Sequence, residues 1–232
     1  VYLHILEIDA DELQAINQLE GLYLRLEKWD DLQDIYNQKV ELVQTPDEKK
    51  EVLYVLGAMY ERELKDTPKA INTYQRILEF DPDDLQAIQR LDILYVEVEE
   101  WPDLLSILER EIELVADADE AISYKYRIAE LYVRHLDDIP RAIDYLKEIL
   151  TIAPDHEPTV KLLEELVMGE EEPMLAAEVL EPLYQDLAEW RKLIGVIEVK
   201  LKHTDDEWGQ VELFHQAAEL LESDLHLDAP SE

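Results

Sequence analysis

The sequence repeats itself, and this repeat constrains the fold more than any other feature. The stretch ILEIDADELQAINQLEGLYLRLEKWDDL, which starts at Ile5, matches ILEFDPDDLQAIQRLDILYVEVEEWPDL, which starts at Ile77. A third copy starts at Ile149, but its match breaks after Leu166 and resumes at Leu183, so about one helix is inserted there. Self-similarity at a fixed period is typical of solenoids. We therefore predict a single solenoid segment over residues 1–232, with copies at 5–76, 77–148 and 149–232 and an inserted helix near 173–188.

The apolar residues within each copy follow the helical period. Leu13, Ile16, Leu19 and Tyr23 recur at intervals of three and four residues, as one face of an α-helix requires. The chain has 5 glycines and 10 prolines, which are too few turn signals for many short strands. These observations predict an all-α fold. The predicted helices lie near 10–28, 30–44, 47–65, 67–80, 83–99, 102–116, 119–136, 139–152, 156–168, 173–188, 190–203 and 207–226.

Two of the helix pairs share a more specific residue pattern. The first pair has Leu56, Gly57, Tyr60, Ala70, Tyr74, Ile77 and Pro82, and the second has Ile128, Ala129, Tyr132, Ala142, Leu146, Ile149 and Pro154. Small Ala70 and Ala142 allow two antiparallel helices to approach closely. The pattern resembles the tetratricopeptide repeat of large bacterial repeat proteins, with one extra residue between the helices. The resemblance implies a right-handed α-α superhelix of stacked antiparallel helix pairs.

The two ends of the chain each match part of a helix pair. YLHILEID at the start matches the tail of a second helix, as in TYQRILEFD, and LFHQAAELLESDLHLDAP at the other end matches a first helix. We therefore expect this chain to be a segment of a longer array.

The resemblance also implies where a partner would bind, because stacked first helices line the concave face of such a superhelix. The candidate partner-binding residues are Asn17, Arg25, Tyr54, Arg62, Gln86, Gln89, Tyr126, Glu130 and Arg134. Arg25, Arg62 and Arg134 fall at one equivalent position of three units, where a guanidinium can grip a carboxylate or a backbone carbonyl. The alternative is a salt bridge to a neighbouring Glu.

Catalytic, metal and cofactor sites are not expected. The acidic clusters lack the alternating ligands and turn glycine of a calcium loop, and the six histidines show no metal-binding spacing. The chain has no cysteine, nucleophile elbow or phosphate-binding loop. Trp29, Trp101 and Trp190 recur with the repeat, so we expect them to pack between helices, whereas Trp208 lies outside that register.

The formal net charge of −36 restricts the partners. A surface with 57 acidic and 21 basic residues repels nucleic acid and anionic lipid, and no apolar run is long enough to cross a membrane. The net charge is −7 over residues 1–76, −13 over 77–148 and −16 over 149–232. We therefore expect a protein or peptide partner that is basic rather than acidic and that prefers the C-terminal half. Self-association is a second kind of interaction to consider, and a cytoplasmic location is favoured over a periplasmic or extracellular one.

These observations predict a non-catalytic scaffold that binds a peptide or helix of a partner protein in its concave groove. Two alternatives stay open. One is a structural spacer or self-assembling rod in a bacterial envelope or motility complex. The other is a regulatory solenoid attached to a catalytic domain outside this segment. The excess of carboxylates over lysine also fits a protein adapted to high salt.

Overall fold

The computed structural model describes residues 1–9 and 11–227, and this part of the chain is built from α-helices joined by short turns. The helices are α1 (Tyr2–Ile8), α2 (Leu13–Arg25), α3 (Trp29–Leu42), α4 (Pro46–Met59), α5 (Thr67–Leu78), α6 (Leu85–Val98), α7 (Trp101–Leu114), α8 (Ala118–Leu131), α9 (Ile139–Ile152), α10 (Glu157–Met168), α11 (Pro173–Asp186), α12 (Trp190–His203) and α13 (Glu207–Leu227). The described residues contain no β-strand. The all-α prediction is confirmed.

The chain divides into two compact units, Val1–Leu114 and Val115–Glu232. In the first unit, α1 to α7 pack in chain order, each helix against the next. In the second unit, α8 packs on α9, and α10, α11, α12 and α13 follow in the same way, with α11 also touching α9. Each unit is therefore a stack of antiparallel helices held together by contacts between neighbours.

Small residues allow α4 and α5 to cross closely in the core of the first unit. Ala70 on α5 is fully buried, and the ring of Tyr74 lies against Gly57 on α4. A Cβ atom added to Gly57 would come within 2.7 Å of that ring. The close crossing of α4 and α5 therefore depends on glycine at this position.

Acidic and hydroxyl side chains fix the starts of several helices. The Thr45 side chain accepts a hydrogen bond from the Glu48 amide, and the Glu48 carboxylate accepts one from the Thr45 amide, which completes a capping box for α4. Asp84 accepts from the Ala87 amide at 2.8 Å and Asp66 accepts from the Lys69 amide at 3.1 Å. These caps satisfy amides that have no partner within their own helix.

The extra residue between paired helices is accommodated by a π-helical turn. Such turns continue α4 over Tyr60–Leu64 and α8 over Tyr132–Leu136, at equivalent positions of two successive copies. A π turn holds one residue more than an α turn, so the helix takes up the insertion without a loop. Both turns end in a left-handed residue, Lys65 or Asp137.

Left-handed residues also end the first helices of the other pairs. Glu27, Glu99 and Ala188 have φ of 53°, 59° and 55°, and each lies two residues before a tryptophan that begins the next helix. None of the three is glycine, so each position carries some backbone strain.

Candidate functional site

A cluster of four polar side chains holds α4 to the start of α6. The Lys50 Nζ atom lies 2.6 Å from Asp81 Oδ2 and 2.9 Å from Asp84 Oδ2. The Tyr54 hydroxyl donates a hydrogen bond to Asp84 Oδ1. Tyr54 is half-buried, and its hydroxyl is therefore satisfied within the chain. Tyr54 stays a prediction as a partner-binding residue, but this contact gives it a structural role.

The ionisation of this cluster follows from its contacts. Burial alone would raise the pKa of Asp84, but hydrogen bonds from Tyr54, Lys50 and the Ala87 amide outweigh it and lower the pKa below its ordinary value of 3.8. Hydrogen bonds to Asp81 and Asp84 raise the pKa of Lys50. Burial, and then the bond to Asp84, raises the pKa of Tyr54. The contacts therefore favour the charged forms of Lys50 and Asp84.

The equivalent position in the second unit is built differently. Tyr126 lies edge-on to the ring of His156, with centroids 5.7 Å apart and an angle of 68° between the rings. His156 stands at the position that Asp84 has in the preceding copy, so a ring contact replaces the hydroxyl–carboxylate bond. Burial raises the pKa of Tyr126, and the neighbouring Glu130 raises it further. Tyr126 and Glu130 are both half-buried.

The three equivalent arginines do not share one environment. Arg134 Nη2 lies 3.5 Å from Glu130 Oε1 on the preceding turn. This is the salt bridge to a neighbouring Glu that the sequence analysis gave as the alternative to partner binding. Arg25 and Arg62 are exposed, and among residues 1–9 and 11–227 neither is paired with a carboxylate. The guanidinium donors of Arg25 and Arg62 therefore face solvent, and their role in partner binding stays a prediction.

The remaining candidates lie on exposed helix surfaces. Asn17 is exposed on α2, and Gln86 and Gln89 are exposed on α6. Two aliphatic residues on α6, Ile93 and Val96, are also 57% and 44% exposed. These surfaces combine amide groups with uncovered apolar side chains.

An open groove lies between the end of α2, the start of α3 and the end of α4. It has a volume of about 290 Å³ and is lined by Leu24, Trp29, Leu32, Tyr36, Val55, Ala58, Met59, Arg62 and Glu63. We call it the Trp29 groove. Leu24 and Val55 are 52% and 48% exposed, so the groove offers apolar surface to solvent. Its volume is near the lower end of the range for ligand sites, roughly 300–1,000 Å³.

The same groove recurs in the second unit, between α11, α12 and α13. We call it the Trp190 groove, and its volume is about 300 Å³. When Trp190 is aligned with Trp29, seven lining residues coincide with counterparts in the Trp29 groove: Gln185, Trp190, Leu193, Ile197, Gln216, Glu219 and Leu220. Gln185 and Gln216 replace the exposed Leu24 and Val55. The Trp190 groove therefore has the same place in the repeat but a more polar lining.

An ion pair recurs at equivalent positions of the two units. Lys39 Nζ lies 2.5 Å from Glu20 Oε2, and Lys200 Nζ lies 2.5 Å from Glu181 Oε2. The alignment of the two tryptophans also superimposes the lysines and the glutamates of these pairs. Burial, and then the Glu20 carboxylate, raises the pKa of Tyr36 to about 12. The two units therefore repeat local side-chain geometry as well as helix order.

The sequence placed the tryptophans in the packing between helices and did not predict that they line grooves. Trp29 and Trp190 are half-buried, which allows each ring to pack and to line a groove as well. The sequence did carry one signal for the groove, namely apolar residues that lie off the buried face of their helices. Leu24 and Val55 flank the tryptophan in a unit whose other exposed helix positions are mostly polar.

Two kinds of site are absent from the described part of the chain. No helix there combines the length and apolar character that a bilayer crossing needs. No group of three or more histidine, aspartate or glutamate side chains in that part is arranged to hold a metal ion.

Comparison with known proteins supports the predicted family. Residues 51–84 and 123–156, which occupy equivalent places in two successive copies, each match the tetratricopeptide repeat model. Each match covers most of a first helix, its π turn and the second helix after it. No curated protein sequence matches the chain. The predicted resemblance to tetratricopeptide repeats is confirmed.

The solved structures that match this chain include three proteins of low sequence identity. YrrB, described as a TPR protein with an unusual peptide-binding site, is 18% identical over 70% of this chain and 80% of its own, with a TM-score of 0.40. MamA from Desulfovibrio magneticus RS-1 is 17% identical over 76% and 94%, with a TM-score of 0.38. The TPR domain of P58(IPK) is 17% identical over 96% and 83%, with a TM-score of 0.38.

Proposed function

We propose that this tetratricopeptide-repeat chain is a non-catalytic scaffold that binds a peptide or helix of a partner protein, with the Trp29 groove as its main anchor site. The observation that carries the proposal is the composition of that groove. It combines the Trp29 ring, the exposed Leu24 and Val55 side chains and the Arg62 guanidinium, which no described carboxylate pairs. Aromatic rings and arginine are the residues that most often dominate binding energy at interfaces.

The partner segment should present one aliphatic or aromatic side chain to the groove. Arg62 at the rim can donate to a backbone carbonyl or a carboxylate beside that side chain. Arg25, Asn17, Gln86 and Gln89 are exposed on α2 and α6 and would extend the contact along the segment. The Trp29 groove lies in the copy with the smallest net charge, −7 over residues 1–76, so its apolar lining and not the charge gradient is the reason for placing the main anchor there. Basic residues outside the anchor would still be attracted by the net charge of −36.

The Trp190 groove would take a different side chain of a partner. Gln185 and Gln216 stand where the Trp29 groove has Leu24 and Val55. Glu219 stands where it has Ala58. A polar or basic side chain that stacks on the Trp190 ring suits this lining better than an aliphatic one. We propose that the two grooves accept different residues.

A selection experiment tests this function. Peptides selected for binding to the full chain from a random display library would be titrated against Leu24→Ser and Arg62→Ala. We expect enrichment of an apolar anchor residue and at least about tenfold weaker binding to each variant. Ile152→Ser is the matched control, because Ile152 is 55% exposed but lies outside both grooves. Equal binding to all three variants would contradict the proposal.

A further inference from the structure

An open groove of about 300 Å³ lies between α10, α11 and α12. Its lining includes Glu164, Met168, Leu180, Lys192, Gly195 and Val196, and we call it the Lys192 groove. The described residues that line it are different from those that line the Trp190 groove. Leu180 and Val196 are buried at its floor, whereas Met168 is 80% exposed. The groove therefore offers apolar surface beside the helix that interrupts the third copy.

Two basic residues at the start of α12 line this groove. Arg191 and Lys192 directly follow Trp190, whereas Trp29 is followed by two aspartates and Trp101 by a proline and an aspartate. Residues 149–232 have a net charge of −16 and contain five basic residues, two of which are this pair. The charge after the tryptophan is therefore reversed in the most acidic copy.

The contacts of Lys192 show how the reversal changes the site. Lys192 Nζ lies 3.1 Å from Glu164 Oε1 on α10 and 5.3 Å from the centroid of the Tyr184 ring. The Tyr184 hydroxyl donates to the same Glu164 oxygen at 2.5 Å. An ammonium group has three donors, and Glu164 accepts from one of them. Lys192 therefore has donors for a second carboxylate as well.

The preceding copy has a different set of residues at the same place. Tyr95 corresponds to Tyr184, and its hydroxyl accepts a hydrogen bond from Gln75 on α5 at 2.7 Å. Asp103 corresponds to Lys192, and its charge raises the pKa of Tyr95 beyond the increase that burial causes. The site around this tyrosine is thus negative in the second copy and positive in the third.

The charges of the two neighbouring grooves also differ in sign. The lining of the Lys192 groove contains two basic residues and one glutamate. The lining of the Trp190 groove contains two glutamates, Glu181 and Glu219. A partner group that suits one of these grooves is therefore disfavoured electrostatically by the other.

Gly195 opens the Lys192 groove at the middle of α12. Glycine is the least favourable residue in a helix interior after proline. A Cβ at Gly195 would meet no atom within 4 Å, so the packing of the chain does not require glycine there. The equivalent residues of the other two copies are Asp34 and Ser106. The missing side chain leaves the backbone of α12 accessible from the groove.

We infer, on the basis of the proposed scaffold function, that the Lys192 groove is a second anchor site for a partner segment in which an aliphatic side chain stands next to an aspartate or glutamate. The aliphatic side chain would pack on Leu180 and Val196 beside Gly195. The carboxylate next to it would accept hydrogen bonds from Lys192 at the rim. The apolar floor and the local positive charge together select this combination.

Peptide selection on Leu24→Ser tests the second anchor while the Trp29 groove is impaired. Peptides from a random display library would be selected on this full-length variant. We expect an aliphatic residue within two positions of an aspartate or glutamate in the enriched peptides. The net charge of −36 repels acidic peptides, so long-range attraction does not produce this enrichment.

Two glycine variants, each made in Leu24→Ser, show whether the selected peptides occupy the groove. Gly195→Leu fills the groove and should weaken their binding at least about tenfold. Gly21→Leu is the matched control, because a Cβ at Gly21 also meets no atom within 4 Å and Gly21 lies outside the groove. Both changes should raise the urea concentration at the midpoint of unfolding, because leucine favours the helix more than glycine does. Only Gly195→Leu should affect binding.

A double variant tests the role of the charge. Glu164→Gln with Lys192→Asp, also made in Leu24→Ser, introduces the residue types that the second copy has at Gln75 and Asp103. It should weaken the selected peptides about three- to fivefold. It should also remove their advantage over the same peptides with asparagine or glutamine in place of the acidic residue. Circular dichroism checks that each variant is folded.

The outcomes separate this second anchor from the proposed function. Peptides enriched on the native chain but not on Leu24→Ser would overturn the second anchor and leave the Trp29 groove as the anchor site. Equal binding to Gly195→Leu and Gly21→Leu, or an acidic preference that persists in the double variant, would also overturn it. Absence of enriched peptides on both chains would overturn the second anchor together with the proposed function.

Discussion

The ring of Tyr74 on α5 occupies the space beside Gly57 on α4 that a larger residue would need. The Tyr74 hydroxyl donates a hydrogen bond to Glu61 at 2.5 Å. This bond holds the ring in place against Gly57. This relationship sets the spacing of the first-copy helix pair and gives the most direct test of its packing.

Gly57→Ala should lower the free energy of unfolding by about 1–3 kcal/mol, because the added methyl group overpacks the crossing. The measurement is urea unfolding followed by circular dichroism. Gly21→Ala is the matched control. A Cβ at Gly21 would meet no atom within 4 Å, so the higher helix propensity of alanine should raise the free energy of unfolding by about 0.5–1 kcal/mol. A loss of stability in both variants, or in neither, would contradict the packing described for Gly57.

Asp84→Asn should lower the free energy of unfolding by about 1–3 kcal/mol at pH 7, because Asp84 accepts hydrogen bonds from Lys50 and Tyr54. Asp83→Asn, at an aspartate that is 74% exposed, should change it by less than about 0.5 kcal/mol. Urea unfolding of the two variants at the same pH gives the comparison, and equal losses would contradict the contacts of Asp84.

The effect of Asp84→Asn should also depend on pH. The pKa of Asp84 is lowered in the folded chain, so its charge stabilises the fold above the unfolded value of 3.8. That contribution is lost as the pH falls through the folded value. The difference between the native chain and Asp84→Asn should be constant from about pH 5 to 7 and shrink below about pH 4. Comparing the two chains at each pH cancels the repulsion that comes from the net charge of −36. A difference that grew in acid would contradict the contacts assigned to Asp84.

Ala188→Gly should raise the free energy of unfolding by about 0.5–1 kcal/mol, because φ at Ala188 is 55° and glycine adopts this conformation without strain. Ala121→Gly, within the α-helical part of α8, should lower it by about 0.5–1 kcal/mol. Thermal unfolding of both variants under the same conditions measures the two changes in stability, which should have opposite signs. A destabilised Ala188→Gly would show that the turn before Trp190 is not left-handed.

Much of this fold was predictable because the apolar period and the prolines determine where helices lie. The predicted helix at 67–80 corresponds to α5, and the one at 139–152 to α9. The extra residue in the pattern was visible in the sequence, but its place in a π turn at Tyr60–Leu64 was not. The spacing of the residues shows that one residue is inserted. The backbone hydrogen bonds of the helix determine where that residue is accommodated, and the spacing does not show them.

The candidate site was predicted less well, since side-chain partners come from several helices. Tyr54 lies on the expected helix, but its hydroxyl is held by Asp84 at the start of α6. Arg62 and Arg134 are equivalent by sequence, yet only the second has a glutamate one turn before it, because residue 58 is alanine where residue 130 is glutamate. Trp29 recurs at an equivalent position of each copy, and this recurrence indicated packing between helices. It gave no sign that Trp29 also lines a groove.

Hydrogen–deuterium exchange of the full chain with and without a selected peptide tests the central claim most directly. If the Trp29 groove is the anchor site, the bound peptide should slow exchange at the end of α2, the start of α3 and the end of α4, and Leu24→Ser should remove that protection at the same peptide concentration. Protection confined to α5 and α7, or protection of the groove helices that persists in Leu24→Ser, would contradict it.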